Sequence, residues 1–126
     1  MTTLYIIVVI ALLIFSFIII NRKSGGLSFT NVSVSDLGLL LKDKNTELID
    51  VRTQKEINQG IIGNPLLIEL GAGMQKKMAI LDKSKKYIIY CRSGRRSVAA
   101  SNMMLKMGFK DVNNLVGGYN AWIKQN

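Results

Sequence analysis

The N-terminal segment of this chain carries no charged side chain, which divides the sequence into two unlike parts. All 25 charged residues lie at or after Arg22, so the first 21 residues are uncharged. Within them, 4–20 is an apolar run of 17 residues interrupted only by Ser16. A helix of that length extends roughly 26 Å, close to the ~30 Å hydrocarbon thickness of a bilayer. The segment predicts a transmembrane anchor over 1–23 that contacts lipid through 4–20.

A cleaved signal peptide is the main alternative for such a segment. Signal peptides begin with a basic region and end at a cleavage site with small side chains. Residues 1–3 contain no basic side chain, and the apolar run ends in three isoleucines and an asparagine at 18–21. An uncleaved anchor is therefore the better interpretation. Arg22 and Lys23 follow the span directly, so the positive-inside rule places the C-terminal part in the cytoplasm.

The rest of the chain has the length of one compact domain. Ser24-Gly25-Gly26 is typical of a short flexible linker, so we place the linker at 24–28 and the domain at 29–126. The 48% hydrophobic content argues against disorder, and a single cysteine, Cys91, excludes a disulfide scaffold. Because histidine is absent, a histidine base or histidine metal ligand is excluded. We expect no metal and no cofactor.

The chain is strongly basic, with a formal net charge of +9 and a pI near 9.9. Nucleic-acid binding is one interpretation of such a charge. However, the sequence shows no helix-turn-helix pattern, aromatic RNA-binding motif or zinc finger. Beside a membrane anchor, solubility and attraction to an anionic lipid leaflet explain the charge more simply. We therefore expect no nucleic-acid partner.

Strand-like and helix-like patterns alternate along the domain. This alternation predicts an α/β fold with a mainly parallel central sheet. Ser33 and Asp36 match a helix capping box, and Gly108 is placed to end a long helix. The predicted strands are 47–51, 66–70, 87–90 and 112–116, and the predicted helices are 33–42, 74–81, 95–107 and a last short helix that carries Trp122.

The loop after the 87–90 strand holds the residues best suited to chemistry. A lone cysteine after an apolar strand is usually an inert core residue. Here three arginines follow Cys91 within five residues, and cations and a helix N-terminus both lower a thiol pKa. Ser93 and Gly94 allow the backbone N–H groups to turn inward and bind an anion. Cys91 is thus the candidate nucleophile, and the candidate anion-binding residues are Arg92, Ser93, Gly94, Arg95 and Arg96.

Phosphate-ester cleavage and sulfur transfer both use such a loop, and the spacing separates them. Cysteine phosphatases carry an arginine six residues after the cysteine, where this chain has Ser97. Its last arginine, Arg96, is five residues after Cys91, so the loop is one residue short for wrapping a phosphate. The loop also contains no acidic residue that could protonate a leaving group. A phosphatase or arsenate-reductase-like activity is therefore disfavoured.

Taken together, these motifs resemble the single-domain rhodaneses, a family of sulfurtransferases. The resemblance extends over roughly 29–124. It implies the rhodanese α/β fold, with helices on both faces of the sheet, and an active-site loop from Cys91 to Arg96. It also implies a Cys91 persulfide that takes sulfur from a donor such as thiosulfate and passes it to a thiol or cyanide. The matching residues are 48–52 with Glu56, 87–97, Ala100, 108–109, Val112 and 115–122.

Further expectations follow from this resemblance. An anchored form is similar to the membrane-tethered rhodaneses of bacteria, which implies the bacterial inner (plasma) membrane, a single span and a membrane or sulfur-carrier protein partner. Asp50, Arg52 and Ser97 are expected to support the site. Asp50 and Arg52 would do so by a salt bridge and hydrogen bonds, and Ser97 as a residue of the helix N-terminus. Of the three loop arginines, one or two should face an anionic donor while another braces the loop.

One segment departs from the family pattern. The family usually has Gly-His-Ile-x-Gly-Ala after the strand that ends at Arg52, whereas 60–65 reads Gly-Ile-Ile-Gly-Asn-Pro. This departure leaves open the local path of the chain and any ligand contact made there. The alternative to an enzyme is a membrane-tethered module of the same fold that binds anions, senses them or serves as a scaffold.

Overall fold

The computed structural model of this chain describes residues 1–22 and 27–126. Helix α1 covers Thr2–Arg22, and its side chains up to residue 20 are exposed. By length and composition alone, Thr2–Ile20 could cross a membrane. Residues 23–26, which hold the end of the predicted anchor and most of the predicted linker, lie outside the described residues. The division into anchor, linker and domain therefore stays a prediction.

The domain is built on a parallel sheet of five strands in the order β1-β5-β4-β2-β3. Because all strands run the same way, their carboxyl ends meet at one edge of the sheet, where parallel α/β folds place their sites. The elements after α1 are β1 (Thr30–Val32), α2 (Val34–Leu40), β2 (Thr46–Asp50), α3 (Gln54–Ile57), β3 (Leu66–Leu67), α4 (Met74–Ala79), β4 (Lys86–Tyr90), α5 (Arg95–Lys106), β5 (Asp111–Leu115) and α6 (Gly118–Gln125).

Side chains from β4 alternate between the two faces of the sheet and divide the core in two. Tyr87, Ile89 and Cys91 lie in the cluster that contains residues of α4 and α5. Ile88 and Tyr90 lie in the cluster that contains residues of α2 and Trp122 of α6. Helices therefore cover both faces, as expected, and the Cys91 side chain lies on the α5 side.

The predicted elements are present, with differences at short or polar segments. β1 and α3 were not predicted, because a three-residue edge strand and a four-residue helix carry too little hydrophobic periodicity. β3 is only two residues long, so the prediction of a strand over 66–70 was too long. The Ser33 cap is confirmed, since its side chain accepts a hydrogen bond from the Asp36 N–H. Gly108 follows α5 with φ +96°, as expected of a helix-ending glycine.

Candidate active site

Cys91 lies directly after β4, at the carboxyl edge of the sheet, and its residue is only 1% exposed. The chain turns sharply after it so that Gly94 can begin α5. The Gly94 N–H then donates to Cys91 Sγ at 3.1 Å. Gly94 has φ +113°, a conformation that side-chain-bearing residues rarely adopt. The sulfur thus lies in the concave side of the loop, next to the N-terminus of α5.

The Ser97 hydroxyl is the second polar contact of the thiol. Ser97 Oγ lies 3.4 Å from Cys91 Sγ and 2.6 Å from Asn114 Oδ1, and its one hydroxyl proton can be donated to either atom. Asn114 in turn donates from Nδ2 to Asn31 of β1 at 3.1 Å. Ser97 is fully buried, so its hydroxyl is held between β4 and β5. Ser97 is therefore a direct neighbour of the sulfur, in addition to being the N-terminal helix residue that the sequence analysis expected.

These hydrogen bonds set the ionisation of the thiol. Burial raises the pKa of Cys91, but hydrogen bonds from the Ser97 side chain and from loop backbone N–H groups outweigh it, so that the pKa lies below its ordinary value. The backbone donors are those of Ser97, Gly94 and Ser93. The predicted lowering is present, but its principal causes are these donors rather than the charges of the nearby arginines.

The first turn of α6 supports the loop from the other side. The Tyr119 N–H donates to the Cys91 carbonyl at 2.8 Å, and the Asn120 N–H donates to the Arg92 carbonyl at 3.0 Å. This approach requires glycine before them, because a Cβ on Gly118 would collide with the Cys91 carbonyl oxygen. Gly118 also has φ +57°, so the position suits glycine on two grounds.

The three loop arginines have different surroundings. Arg96 forms a fork to Glu56 of α3, with its Nη1 and Nη2 at 2.8 and 2.7 Å from the two carboxylate oxygens. Arg92 and Arg95 are exposed, and within the described residues neither forms an ion pair. Ser93 is also exposed.

Glu56 is held on its other side by its own helix. Its Oε2 accepts from the Thr53 N–H and the Thr53 hydroxyl, both at 3.0 Å, which completes a capping box at the start of α3. Chiefly through the Arg96 hydrogen bonds, partly opposed by burial, the pKa of Glu56 falls to about 2. Glu56 therefore stays ionised and connects α3 to the loop.

Asp50 and Arg52 form a buried ion pair near α3. Arg52 Nη2 lies 2.8 Å from Asp50 Oδ2, and Arg52 Nε is 3.1 Å from both carboxylate oxygens. Arg52 Nη2 also donates to the Gly60 carbonyl at 2.6 Å, and its guanidinium lies 4.2 Å from the centroid of the Tyr119 ring. Both residues are at most 1% exposed, so the ion pair is shielded from solvent.

Segment 60–65, which differs from the family pattern, is held in place without the histidine that the family usually has. The Gly60 carbonyl accepts from Arg52, and the Ile62 N–H donates to the Tyr90 hydroxyl at 3.1 Å. Ile62 is buried, whereas Ile61, at the usual histidine position, is 38% exposed. Main-chain contacts and a buried isoleucine therefore set the path of this segment.

A cleft of about 510 Å³ opens beside the loop, between α3 and α6. Its cationic side chains come from the segments that follow two neighbouring strands. Arg52 and Lys55 follow β2, and Arg92 follows β4. Arg92 is the loop residue that lines this cleft. The lining residues are Arg52, Thr53, Lys55, Glu56, Gln59, Arg92, Tyr119, Asn120 and Ile123.

Three neighbours of the site were not identified as site residues from the sequence. Glu56 belonged to the matching pattern, and the Thr53 to Glu56 spacing of a capping box could have shown that its carboxylate is held in place. Asn114 is a buried polar residue inside a strand, which is the only signal of its role. Tyr119 belonged to the matching 115–122 segment, and its ring lies against the Arg52 guanidinium.

Comparisons with known proteins agree with this geometry. The rhodanese-like domain family matches residues 33–125. YtwF of Bacillus subtilis is 41% identical over 80 residues, which are 64% of this chain and 76% of that protein. The thiosulfate sulfurtransferase GlpE of Coxiella burnetii is 31% identical over 83 residues, 66% of this chain and 77% of that protein.

A solved structure shares the same architecture. The crystal structure of a rhodanese-related protein from Thermoplasma volcanium superposes with a TM-score of 0.70 at 28% identity, covering 78% of this chain and 94% of that one. The domain match, the named relatives and the cysteine loop at the carboxyl edge of the sheet all indicate the same family. The chain belongs to the rhodanese-like domain family and is a rhodanese-type sulfurtransferase.

Proposed function

We propose that Cys91 accepts sulfane sulfur from a thiosulfate-type donor as a persulfide and passes it to a thiophilic acceptor. The observation that supports this most is the position of Cys91 Sγ, 3.1 Å from the Gly94 N–H at the N-terminus of α5. A thiolate, a persulfide and a sulfite leaving group are all anions. The same donors therefore favour each species along the reaction.

In the first step the Cys91 thiolate attacks the outer sulfur of thiosulfate. The sulfur–sulfur bond of the donor breaks, and sulfite leaves with the bonding electron pair. In the second step an acceptor attacks the terminal sulfur of the persulfide, and the Cys91 thiolate is regenerated. Cyanide gives thiocyanate in an assay, and in the cell we expect a small thiol or a sulfur-carrier protein as acceptor. No net oxidation of the enzyme takes place.

The arginines have separate roles in this proposal. Arg92 and Arg95 are exposed at the mouth of the loop and attract the anionic donor. Arg96 braces the loop through Glu56, since its guanidinium is already engaged by that carboxylate at 2.7–2.8 Å. Arg52 and Asp50 hold the cleft wall, and Ser97 favours the thiolate.

The location is part of the proposal. We infer an anchor at 1–23, a linker at 24–28 and the catalytic domain at 29–126. Helix α1, with an apolar stretch over Thr2–Ile20 and basic residues directly after it, supports a single pass with the domain on the cytoplasmic side. The proposed membrane is the inner (plasma) membrane of a bacterium.

The test uses the full chain in detergent with Cys91→Ser as the control. After incubation with thiosulfate, intact mass should show one added sulfur on the wild type and none on the variant. Cyanide should then remove that sulfur and release thiocyanate with turnover. If thiosulfate and other sulfane-sulfur donors leave Cys91 unmodified, the persulfide mechanism is wrong. The fold would then act as a tethered anion-binding or scaffold module.

A further inference from the structure

The edge of the sheet opposite the active site is rich in lysine. Three loops meet there, the ones that lead from α2 into β2, from α4 into β4 and from α5 into β5. Together with the residues that flank them, they carry seven lysines against four carboxylates. We call this surface the basic edge; its lysines are Lys42, Lys44, Lys83, Lys85, Lys86, Lys106 and Lys110.

The three loops are in contact with one another. The Lys86 N–H donates to the Asn45 carbonyl at 3.0 Å, which connects the loops before β4 and β2. Lys83 Nζ lies 5.9 Å from the centroid of the Phe109 ring, which brings the loops before β4 and β5 together. The lysines therefore form one surface rather than three separate loops.

The seven lysines exceed the four carboxylates, which leaves this surface a net charge of +3, and only two of the lysines form ion pairs within the described residues. Lys85 pairs with Glu47 at 3.1 Å, and Lys86 lies 3.9 Å from Asp111. The other two carboxylates bind their own loops, Asp43 to the Asn45 N–H and Asp82 to Ser84. The remaining lysines are exposed, and among the described residues they form no ion pair; they are Lys42, Lys44, Lys83, Lys106 and Lys110.

Large apolar side chains lie exposed at the same edge. Ile80 follows α4 and is 85% exposed, and Leu39 in the last turn of α2 is 72% exposed. Leu27 shares a surface groove with Leu105 and Lys106 of α5. Exposed aliphatic groups among lysines are typical of surfaces that rest on a lipid interface.

The entry of the chain brings this edge close to the proposed anchor. Because β1 is parallel to the other strands, it begins at the basic edge, and Leu27 lies three residues before it. Five residue steps separate Leu27 from Arg22 at the end of α1. Fully extended, they span at most about 18 Å. The edge with the lysines is therefore the one tethered near the end of α1.

We propose that the basic edge docks on the anionic headgroups of the membrane that holds α1, with Leu39 and Ile80 entering the interface. The active site then faces away from the bilayer, because Cys91 lies at the other end of β4. Docking rests on the proposed anchor but not on the persulfide chemistry. An oriented domain would present its cleft to soluble donors and protein acceptors.

The experiment places the full chain in nanodiscs of phosphatidylcholine alone or of phosphatidylcholine with phosphatidylglycerol. A water-soluble amine reagent modifies lysines, and mass spectrometry gives the rate for each one. We expect Lys44, Lys83 and Lys110 to react about fivefold more slowly in the anionic discs, and high salt to remove the difference. Lys55, which lines the cleft at the opposite edge of the sheet, should react equally in both.

Two sets of variants test the surface itself. Lys44→Gln/Lys83→Gln/Lys110→Gln should abolish the lipid-dependent protection of the remaining edge lysines. The matched Lys55→Gln/Arg92→Gln/Arg95→Gln variant removes the same charge at the opposite edge of the sheet and should keep the protection. Leu39→Ser/Ile80→Ser should reduce it several-fold while leaving the charge intact.

Each other outcome overturns the proposal in a recognisable way. Equal labelling rates in both discs, with the chain incorporated, would refute docking and leave the anchor intact. A chain that fails to enter even the zwitterionic discs would refute the anchor and docking together, while the sulfur-transfer assay still reports on Cys91. An RNA oligonucleotide that protects the edge lysines as well as anionic lipid does would instead indicate a nucleic-acid surface.

Discussion

The contact between Glu56 and Arg96 gives the sharpest test of how the cysteine loop is held. Glu56→Gln removes the charge but can keep an acceptor near Thr53. A carboxyl pKa that falls from 4.5 to about 2 corresponds to at most about 3 kcal/mol of stabilisation at neutral pH. Because the side chains of Arg96 and Glu56 are 32% and 20% exposed, solvent screening reduces this value. We expect the free energy of unfolding of the variant to be about 1–2 kcal/mol lower than that of the wild type.

The pH dependence follows from the direction of the Glu56 pKa. A lowered pKa stabilises the fold above the ordinary carboxyl pKa of 4.5, and the contribution is lost as pH falls to about 2. The difference between wild type and variant should thus be constant near neutrality and shrink below pH 4.5.

Urea unfolding of the full chain in detergent, followed by the fluorescence of Trp122, measures this difference. Trp122 is the single tryptophan and packs on the α2 side of the core. The control is Glu69→Gln, which removes an exposed carboxylate that forms no ion pair within the described residues. Equal stability of wild type and Glu56→Gln, or a difference that does not change in acid, would refute the bracing role.

Two further predictions concern the groups around the sulfur. Gly118→Ala should lower the free energy of unfolding by about 1–3 kcal/mol and reduce thiocyanate formation, because φ is +57° and the added Cβ collides with the Cys91 carbonyl. Ser97→Ala should raise the pKa of Cys91, because it removes a hydrogen bond that favours the thiolate. Titration of the thiolate ultraviolet absorbance, with Cys91→Ser as the blank, should then shift to higher pH.

Each of these predictions has a control of the same chemistry. Gly38→Ala adds a methyl group in the middle of α2 where no atom lies within 4 Å, so stability should stay equal or rise. Ser101→Ala removes a buried hydroxyl that donates to the Ser97 carbonyl and does not contact the sulfur. If the Ser101 variant shifted the thiolate titration as much as the Ser97 variant, the direct contact would not be the cause.

Local patterns in the sequence determine a large part of this protein. The uncharged segment predicts α1, because a helix that is apolar on all faces can be identified from its composition without knowledge of what it packs against. The apolar β4 strand, the glycine turn and the following helix place Cys91 at a strand end. Ser33 and Gly108 mark helix ends through contacts within a few residues. Each of these features depends on neighbours along the chain, so it can be read from the sequence.

Only the tertiary structure assigns the partners of the loop. Arg96 meets Glu56 forty residues earlier, and Ser97 meets Asn114 seventeen residues later. No local pattern distinguishes Arg96 from Arg92 and Arg95, because which guanidinium reaches a carboxylate depends on how α3 packs beside the sheet. Likewise, the lysines are scattered over 42–110 in the sequence and become one surface only where three parallel strands begin together. Contacts between distant segments, set by packing, decide these roles.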